Sequence, residues 1–480
     1  MKGIIGLLLF GTMMWGQTMA QYTIKLTVKQ MAGKKVSLAC HYEEQLMVQD
    51  TVVLDNNGVG YFRHASKKLA SGIYMLYFSP SSNWDILIGS DQSFSISCDT
   101  SQILNTMRIE GSPENQAFLE FQKFMVEMGR QNSTIREEFR KDPDNKKAEV
   151  REKYSARYAV LDKEVRSYIG TILKRFPGTA LATFARFTLP VEIPDFSKEV
   201  PEGTKDRDME IRRKSFFYMQ EHYWDNANLT DSMLIRTDIF KKQLDNYFSN
   251  FVINYPDSLY RACVRLVEKA RPNKLMFRYL TDYCLTSTFE NKIMGMDEAF
   301  VKFGQRYYVD VTPEWVTPER LKTIREEVIK RQFNLLNHPA VELKLSMLEG
   351  EWVSLHEVKA PFVLLLFWEP NCGHCKTQVP LVRKEIYERF APYGLKVFAV
   401  NTHTDKKQWE EFVEKNDLFD FINCWDPNNQ SNYRTYYNVF STPVMYILDK
   451  DKKFIAKSLT VDQMVDLLKH EYKKMGIEVQ

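Results

Sequence analysis

One continuous apolar run, residues 361–368, constrains the fold more than any other feature of this sequence. Such a run predicts a strand that is buried on both faces, as in the centre of a parallel sheet. Helical and strand patterns alternate after it, which predicts an α/β sheet with helices on its faces. We expect these elements: helix 373–390, strand 396–400, helix 407–415, strand 421–424, helix 431–437, a hairpin of strands 444–448 and 454–458, and helix 461–475.

Two other patterns precede this region, so the 480 residues are expected to form several domains. Residues 21–110 alternate apolar and polar side chains, which predicts a small antiparallel β domain. The Asn-Asn-Gly segment at 56–58 lies between two such runs and predicts a hairpin turn. The α/β region is expected to form the last domain, residues 337–480.

Residues 111–336 show helical periodicity and predict an all-α middle domain. Ser112 is a suitable N-cap, and Pro113 fits the first helical position because its missing N–H has no partner there. The Phe-Pro-Gly segment at 176–178 is expected to end a helix. The helices predicted in this domain include an apolar stripe over 150–172 and amphipathic segments at 211–224, 233–255, 259–269 and 321–335.

The first twenty residues carry the features of a cleavable secretory signal. A lysine at position 2 precedes a short apolar run, residues 4–10, and the Thr-Met-Ala segment at 18–20 places small residues at its first and last positions. The run is too short to span a bilayer. We therefore expect residues 1–20 to be removed, and the mature protein to be exported without a membrane span.

Composition excludes some classes of partner. The formal net charge is only +3, so nothing in the charge balance suggests nucleic acid or an anionic membrane as a partner. Seven cysteines are too few for a scaffold built from disulfides. Cys40 and Cys98 fall on apolar strand faces, which favours core thiols over a disulfide. Cys263 and Cys284 could join two helices or remain free, and both alternatives stay open.

Cys372 and Cys375 are expected to act as a pair, at the point where the buried strand ends and a helix begins. Free backbone N–H groups and the helix dipole lower the pKa of a thiol at this position. Cys372, at the exposed end, should attack, and Cys375, one turn inside, should resolve the mixed disulfide. The spacing also allows a Cys372–Cys375 disulfide. His374 should add positive charge near Cys372 and make the disulfide more oxidising.

Other uses of two cysteines at this spacing are less consistent with the sequence. A c-type haem site needs histidine directly after the second cysteine, where Lys376 stands. A structural zinc site needs two further ligands at matched spacing, and only the distant His403 and Cys424 could contribute. We therefore expect no metal and no cofactor. A purely structural disulfide remains an alternative.

Residues 367–376, Phe-Trp-Glu-Pro-Asn-Cys-Gly-His-Cys-Lys, together with Pro380 and the Ser-Thr-Pro segment at 441–443, resemble the thioredoxin superfamily. Within it they are most similar to the exported TlpA/ResA-like thiol–disulfide oxidoreductases. The upstream architecture resembles exported thioredoxin-like proteins of Bacteroidetes, which implies a periplasmic location. The resemblance implies a cis peptide at Thr442-Pro443 and a substrate groove bordered by Thr442, Pro443 and Trp368. It also implies protein thiols or disulfides as substrates, and a redox partner in the membrane or periplasm.

Two positions depart from these relatives. Many of them carry a buried acid six residues before the first cysteine, where this chain has Leu366. Some of them also carry Glu between the two cysteines, where this chain has Gly373-His374, the dipeptide typical of protein disulfide isomerase, so the direction of electron flow stays open. Peroxidases of the peroxiredoxin type carry Thr or Ser three residues before the reactive cysteine. This chain has Glu369 at that position, which argues against peroxidase activity.

Two functional hypotheses follow. The first is a periplasmic thiol–disulfide oxidoreductase that acts on protein cysteines through Cys372 and Cys375. The second is a binding or assembly protein in which the regions before residue 337 act, and the cysteine pair is a redox sensor or a structural clip.

Overall fold

The computed structural model describes residues 21–42 and 45–479. The predicted signal segment, residues 1–20, lies outside the described residues. The described residues divide into two compact units. The first runs to Phe251 and includes Lys269–Met276, and the second comprises Val252–Glu268 and the residues from Phe277 onward.

The first unit begins with two four-stranded sheets, as the alternating pattern predicts. Their shared core contains Ile24, Leu26 and Val28, each 0% exposed. One sheet has the order β4-β1-β7-β8 and the other has the order β3-β2-β5-β6. The strands are β1 Tyr22–Thr27, β2 Lys35–Tyr42, β3 Gln45–Val53, β4 Val59–His64, β5 Gly72–Ser79, β6 Ser82–Ile88, β7 Ser93–Ser97 and β8 Arg108–Glu110.

Two details of these sheets differ from the prediction. The turn at 56–58 is present, and Gly58 adopts the positive φ of 74° that glycine tolerates. It joins β3 to β4, which lie in different sheets, so it connects two layers and does not close a hairpin. The pairing is antiparallel except between β1 and β7, which run parallel. Turn chemistry signals the reversal of the chain but does not determine which strand pairs with which.

Helices complete the first unit. The Ser112 hydroxyl caps the first long helix by accepting the Asn115 N–H at 3.2 Å, as predicted. The segment predicted as one helix over 233–255 is instead a 3-10 turn, Ser232–Arg236, followed by a separate helix. The helices are α1 Ile103–Thr106, α2 Pro113–Lys141, α3 Ala148–Arg175, α4 Ala180–Phe187, α5 Arg207–His222 and α6 Phe240–Asn250, with a further 3-10 turn at Phe196–Lys198.

Further helices precede the large sheet of the second unit. They are α7 Pro256–Ala270, α8 Lys274–Phe289, α9 Asp297–Gly304, continued by a π-helical turn Gln305–Val309, and α10 Pro318–Gln332. Cys263 and Cys284 are free thiols with 0% exposure. Within this unit the Lys457 ammonium donates to the Asp297 carboxylate and to the Asn334 carbonyl, so side chains from both sides of residue 337 share one buried ion pair.

A seven-stranded sheet with the order β10-β9-β13-β12-β11-β14-β15 forms the centre of the second unit. The predicted buried strand is β11, which pairs in parallel with β12 and antiparallel with β14. The strands are β9 Lys344–Met347, β10 Trp352–Ser354, β11 Phe362–Trp368, β12 Lys396–Asn401, β13 Ile422–Trp425, β14 Val444–Asp449 and β15 Phe454–Lys457. The helices are α11 Gly373–Leu381, extended by a π-helical segment Val382–Tyr387, α12 Glu388–Phe390, α13 Lys406–Lys415, α14 Tyr433–Tyr436 and α15 Val461–Lys474.

Strand β11 is buried on both faces, which explains why its sequence shows no polar alternation. Leu364, Leu366 and Trp368 contribute to a core on one face of the sheet. Val363 and Phe367 contribute to a second core on the other face. All seven residues of the strand are buried. The order of two small sheets, a run of helices and a seven-stranded sheet with helices confirms the predicted multidomain architecture ending in a thioredoxin-type α/β sheet. The domain boundaries at residues 110 and 336 remain predictions.

Candidate active site

The two cysteines lie at the junction between β11 and α11, as the sequence predicts. Cys372 is the N-cap of α11, and its sulfur accepts the backbone N–H of Cys375 at 3.4 Å. An N-cap side chain normally carries oxygen for this purpose, and here a thiol occupies that position. The free N–H groups of the first helical turn therefore point toward the Cys372 sulfur, where they stabilise negative charge.

Cys372 and Cys375 differ in access to solvent. Cys372 is half-buried, whereas Cys375 is 0% exposed. A reagent or substrate can therefore reach the first sulfur but not the second without movement of the protein. The structure thus places the predicted attacking cysteine outside and the predicted resolving cysteine inside.

The environment of Cys372 favours its thiolate. Burial by itself would raise the pKa of this thiol, but hydrogen bonds from Thr442 and from the backbone of Cys375 and His374 outweigh that effect. The net result is a pKa below that of an ordinary cysteine thiol. Because the thiolate is the nucleophile in disulfide exchange, the lowered pKa increases the reactive fraction at neutral pH.

The environment of Cys375 favours its neutral thiol. Burial is the largest cause and raises its pKa to about 12, although hydrogen bonds from the Glu369 backbone and from Thr442 act in the opposite direction. The pair is therefore chemically asymmetric: one sulfur is accessible and readily ionised, and the other is enclosed and protonated. This asymmetry distinguishes an attacking thiol from a resolving thiol.

The segment before β14 lies against the two sulfurs. The Thr442-Pro443 peptide bond is cis, as the resemblance implied. The Cys372 thiol donates to the Thr442 carbonyl at 3.2 Å, and the Thr442 hydroxyl donates to Glu369 Oε1 at 3.0 Å. Thr442 and Pro443 are half-buried, so part of each is available at the surface beside Cys372.

The structure corrects one expected groove residue. Trp368 is 0% exposed and packs against Phe412 with ring centroids 4.7 Å apart. Its side chain belongs to the core beneath the site and does not border a groove. The cause is that β11 remains covered to its last residue, so the ring has no route to the surface. His374, in contrast, is exposed, and its backbone is the part that acts on Cys372.

A polar cluster lies beside Cys372 that the sequence analysis did not predict. The Asn371 amide donates to Gln408 Oε1 at 2.6 Å, and its nitrogen lies 3.4 Å from His403 Nε2. Gln408 in turn donates to Asp405 at 2.8 Å. These residues come from two segments more than thirty positions apart. The only feature of the sequence that could have indicated the cluster was the polar residue Asn371, directly before Cys372.

Among residues 21–42 and 45–479, no group of three or more His, Cys, Asp or Glu side chains is arranged to hold a metal ion. Cys424, considered above as a zinc ligand, is 0% exposed in the core around β13.

None of the helices in residues 21–42 and 45–479 has the length and apolar character needed to cross a membrane.

Two family models match the chain in adjacent regions. Residues 175–338 match a family described as a domain of unknown function (DUF5106). Residues 336–457 match the AhpC/TSA family. The second match includes the cysteine pair, β11 and the Thr442-Pro443 segment. The C-terminal region is therefore a thioredoxin-like domain.

Curated relatives match only a small part of the chain's length. The thiol-disulfide oxidoreductase ResA of Halalkalibacterium halodurans is 32% identical over 76 residues, which cover 16% of this chain and 43% of that protein. The thioredoxin-like protein YneN of Bacillus subtilis is 35% identical over 114 residues, which cover 23% of this chain and 64% of that protein. The chain thus spans between about two fifths and two thirds of the length of these relatives.

Solved structures with similarity to the chain include proteins from Cytophaga hutchinsonii and Bacteroides caccae. A domain of a possible thiol-disulfide isomerase from Cytophaga hutchinsonii is 28% identical, with a TM-score of 0.28, and the match covers 30% of this chain and 96% of that one. A thioredoxin-like protein from Bacteroides caccae is 19% identical, with a TM-score of 0.42, and the match covers 56% of this chain and 96% of that one.

Proposed function

We propose that this chain, whose C-terminal region is a thioredoxin-like domain of the AhpC/TSA family, exchanges disulfides with protein substrates through Cys372 and Cys375. The observation that carries the proposal is the asymmetry of the pair. Cys372 is accessible and has a lowered pKa, whereas Cys375 is enclosed and has a raised one. A structural disulfide has no need of this difference, but sequential attack by two thiols depends on it.

In the reducing direction the exchange has two steps. The Cys372 thiolate attacks one sulfur of a substrate disulfide, a mixed disulfide forms, and the second substrate sulfur leaves as a thiolate that takes up a proton. Cys375 then loses its proton and attacks Cys372, which releases the first substrate sulfur. The products are a substrate dithiol and a Cys372–Cys375 disulfide. In the oxidising direction the same steps run in reverse.

Regeneration requires a redox partner, since two electrons must return to the Cys372–Cys375 disulfide after each reducing turnover. We place this cycle in the periplasm, where disulfides persist, because of the predicted signal segment at 1–20. The partner would be a membrane or periplasmic protein with a reactive thiol pair. The regions before residue 337 would hold or select substrates.

Removal of the resolving thiol should trap the first intermediate. We expect a Cys375→Ala variant to attack a disulfide-bonded protein such as insulin and to stop at the mixed disulfide, because no second thiol releases it. The adduct is measured as a mass increase on Cys372 in a non-reducing gel and by mass spectrometry of the intact protein.

Two further variants make this result specific. Cys424→Ala removes a buried thiol of the same domain and should turn over without accumulating an adduct. The double variant Cys372→Ala/Cys375→Ala should form no adduct. An adduct located on any cysteine other than Cys372 would contradict the proposal.

A further inference from the structure

An apolar groove lies between α8, α9 and α10, which all precede residue 337. Its volume is about 370 Å³, and three buried side chains line it, Leu285, Phe300 and Ile324. Phe289, the last residue of α8, also lines the groove and is 43% exposed. Apolar surface is therefore open to solvent at this place, and contiguous surface of this kind marks sites that bind another molecule.

A short series of contacts within the second unit joins this groove to the cysteine pair. Glu327 lines the groove, and its carboxylate accepts the Lys330 ammonium at 3.0 Å. The same ammonium lies 4.8 Å from the ring centroid of Phe440, which is 61% exposed. Phe440 is two residues before Thr442, whose carbonyl accepts the Cys372 thiol. The contacts thus lead from the groove, through an exposed aromatic ring, to the reactive sulfur.

The helices of the groove are held against the thioredoxin-like domain. Phe333, directly after α10, packs edge-on against Tyr436 of α14, with ring centroids 5.0 Å apart. The buried ion pair between Lys457 and Asp297 joins β15 to α9. The groove therefore has a fixed position relative to Cys372, and a polypeptide could contact both at once.

Charged groups at the rim of the groove are largely paired within the chain. The Glu327 carboxylate also binds the Arg331 guanidinium at 3.0 Å, and this guanidinium lies 4.3 Å from the ring centroid of Phe289. Arg320 lies 3.7 Å from the Asp282 carboxylate. Because these opposite charges offset each other, the rim offers no strong field to a nucleic acid or an anionic lipid, and it favours an apolar occupant.

We propose that this groove, together with Phe440, binds an apolar side chain of an extended substrate polypeptide close to the disulfide that Cys372 attacks. A folded substrate buries such side chains, so the surface selects polypeptides that are unfolded or misfolded. Binding at a second point also raises the effective concentration of the substrate disulfide at Cys372. The inference rests on the proposed function, since it names the class of substrate and the surface that recognises it.

A pair of peptides that differ at one position tests this proposal. Each peptide contains one disulfide, and one has phenylalanine where the other has serine, at a series of distances from the disulfide along the chain. With the full-chain Cys375→Ala variant, we expect mixed-disulfide formation to be at least about tenfold faster for the phenylalanine peptide at the best distance, because an apolar side chain becomes buried. The rate is measured by mass spectrometry of quenched samples.

Substitutions in the surface should remove the preference. Thr323→Trp fills the groove from its exposed rim, and Phe440→Ser removes the exposed ring, so the two peptides should then react at nearly equal rates. A structural or catalytic defect would slow both peptides alike and leave their ratio unchanged. Phe419→Ser is the control: this ring is 63% exposed but precedes β13, at the opposite edge of the parallel strands from Cys372, and the preference should persist.

Equal rates for the two peptides at every distance would overturn the inference. It would also be overturned if the chain were a dimer in sedimentation and Thr323→Trp made it a monomer, because a second copy would then occupy the groove. Failure of the proposed function is seen separately, through binding of the peptides to the full-chain Cys372→Ala/Cys375→Ala variant, followed by fluorescence anisotropy. Tighter binding of the phenylalanine peptide without any mixed disulfide in Cys375→Ala would contradict disulfide exchange and support the groove, whereas equal binding without any mixed disulfide would overturn both.

Discussion

Replacement of Cys372 by serine should abolish insulin reduction, with a loss of at least about a thousandfold in the turnover rate. The expectation follows from the geometry, because Cys372 alone combines access to solvent with hydrogen bonds that favour its thiolate. A serine hydroxyl in the same position ionises far less readily and is a poor nucleophile toward sulfur. The assay follows the precipitation of reduced insulin chains in the presence of a thiol reductant.

A matched control separates loss of the nucleophile from loss of the fold. Cys424 lies in the same domain, is 0% exposed, and donates only a weak contact to the Ala399 carbonyl at 3.6 Å. Cys424→Ala should therefore retain insulin reduction. Equal inactivity of Cys372→Ser and the unmodified protein in insulin reduction would favour the alternative in which the cysteine pair is a sensor or a clip and the preceding regions carry the function.

The second large effect concerns the core beneath the site. Trp368→Ala should destabilise the domain that contains the cysteines by about 3–5 kcal/mol, the usual cost of removing a large buried ring. The ring is 0% exposed and packs against Phe412 and the other side chains of the core that lies between β11 and the helices on that face. The change is measured by denaturant unfolding of the full chain, followed by circular dichroism.

Trp352 provides the control for this prediction. It lies in β10 of the same sheet and is 62% exposed, so Trp352→Ala should change the unfolding free energy by no more than about 0.5 kcal/mol. If the two tryptophan variants unfolded at the same denaturant concentration, the placement of Trp368 in the core would be wrong. Trp368→Phe should lie between them, because it keeps an aromatic ring against Phe412.

Local sequence patterns were sufficient to predict the proposed nucleophile and its position in the fold. An apolar run long enough for one buried strand, followed by two cysteines and a helical pattern, predicts the cysteine pair at the junction of strand and helix, and the structure places it there, with Cys372 as the cap of α11. The strand and helix order of the last domain was also predictable, because each element follows from its own periodicity.

Contacts between distant segments were not predictable from one sequence. Glu369 and Thr442 are 73 positions apart, and nothing local to either residue indicates that the hydroxyl meets the carboxylate. Trp368 was misassigned for a related reason: a fully apolar strand gives no periodicity from which to infer whether its last side chain reaches the surface. The same limit explains why the hairpin predicted at 56–58 was wrong, because the two strands that flank this turn belong to different sheets.

In the folded protein the Cys372 sulfur is accessible and ionises more readily than an ordinary cysteine thiol. The most direct measurement is the rate of alkylation of Cys372 across a pH series, in the folded Cys375→Ala variant, with the modified residue identified by mass spectrometry. We predict that the rate rises with pH and levels off with an apparent pKa below that of an unperturbed cysteine, about 8.5. A pKa at or above that value, or no reaction until the protein is unfolded, would contradict the account.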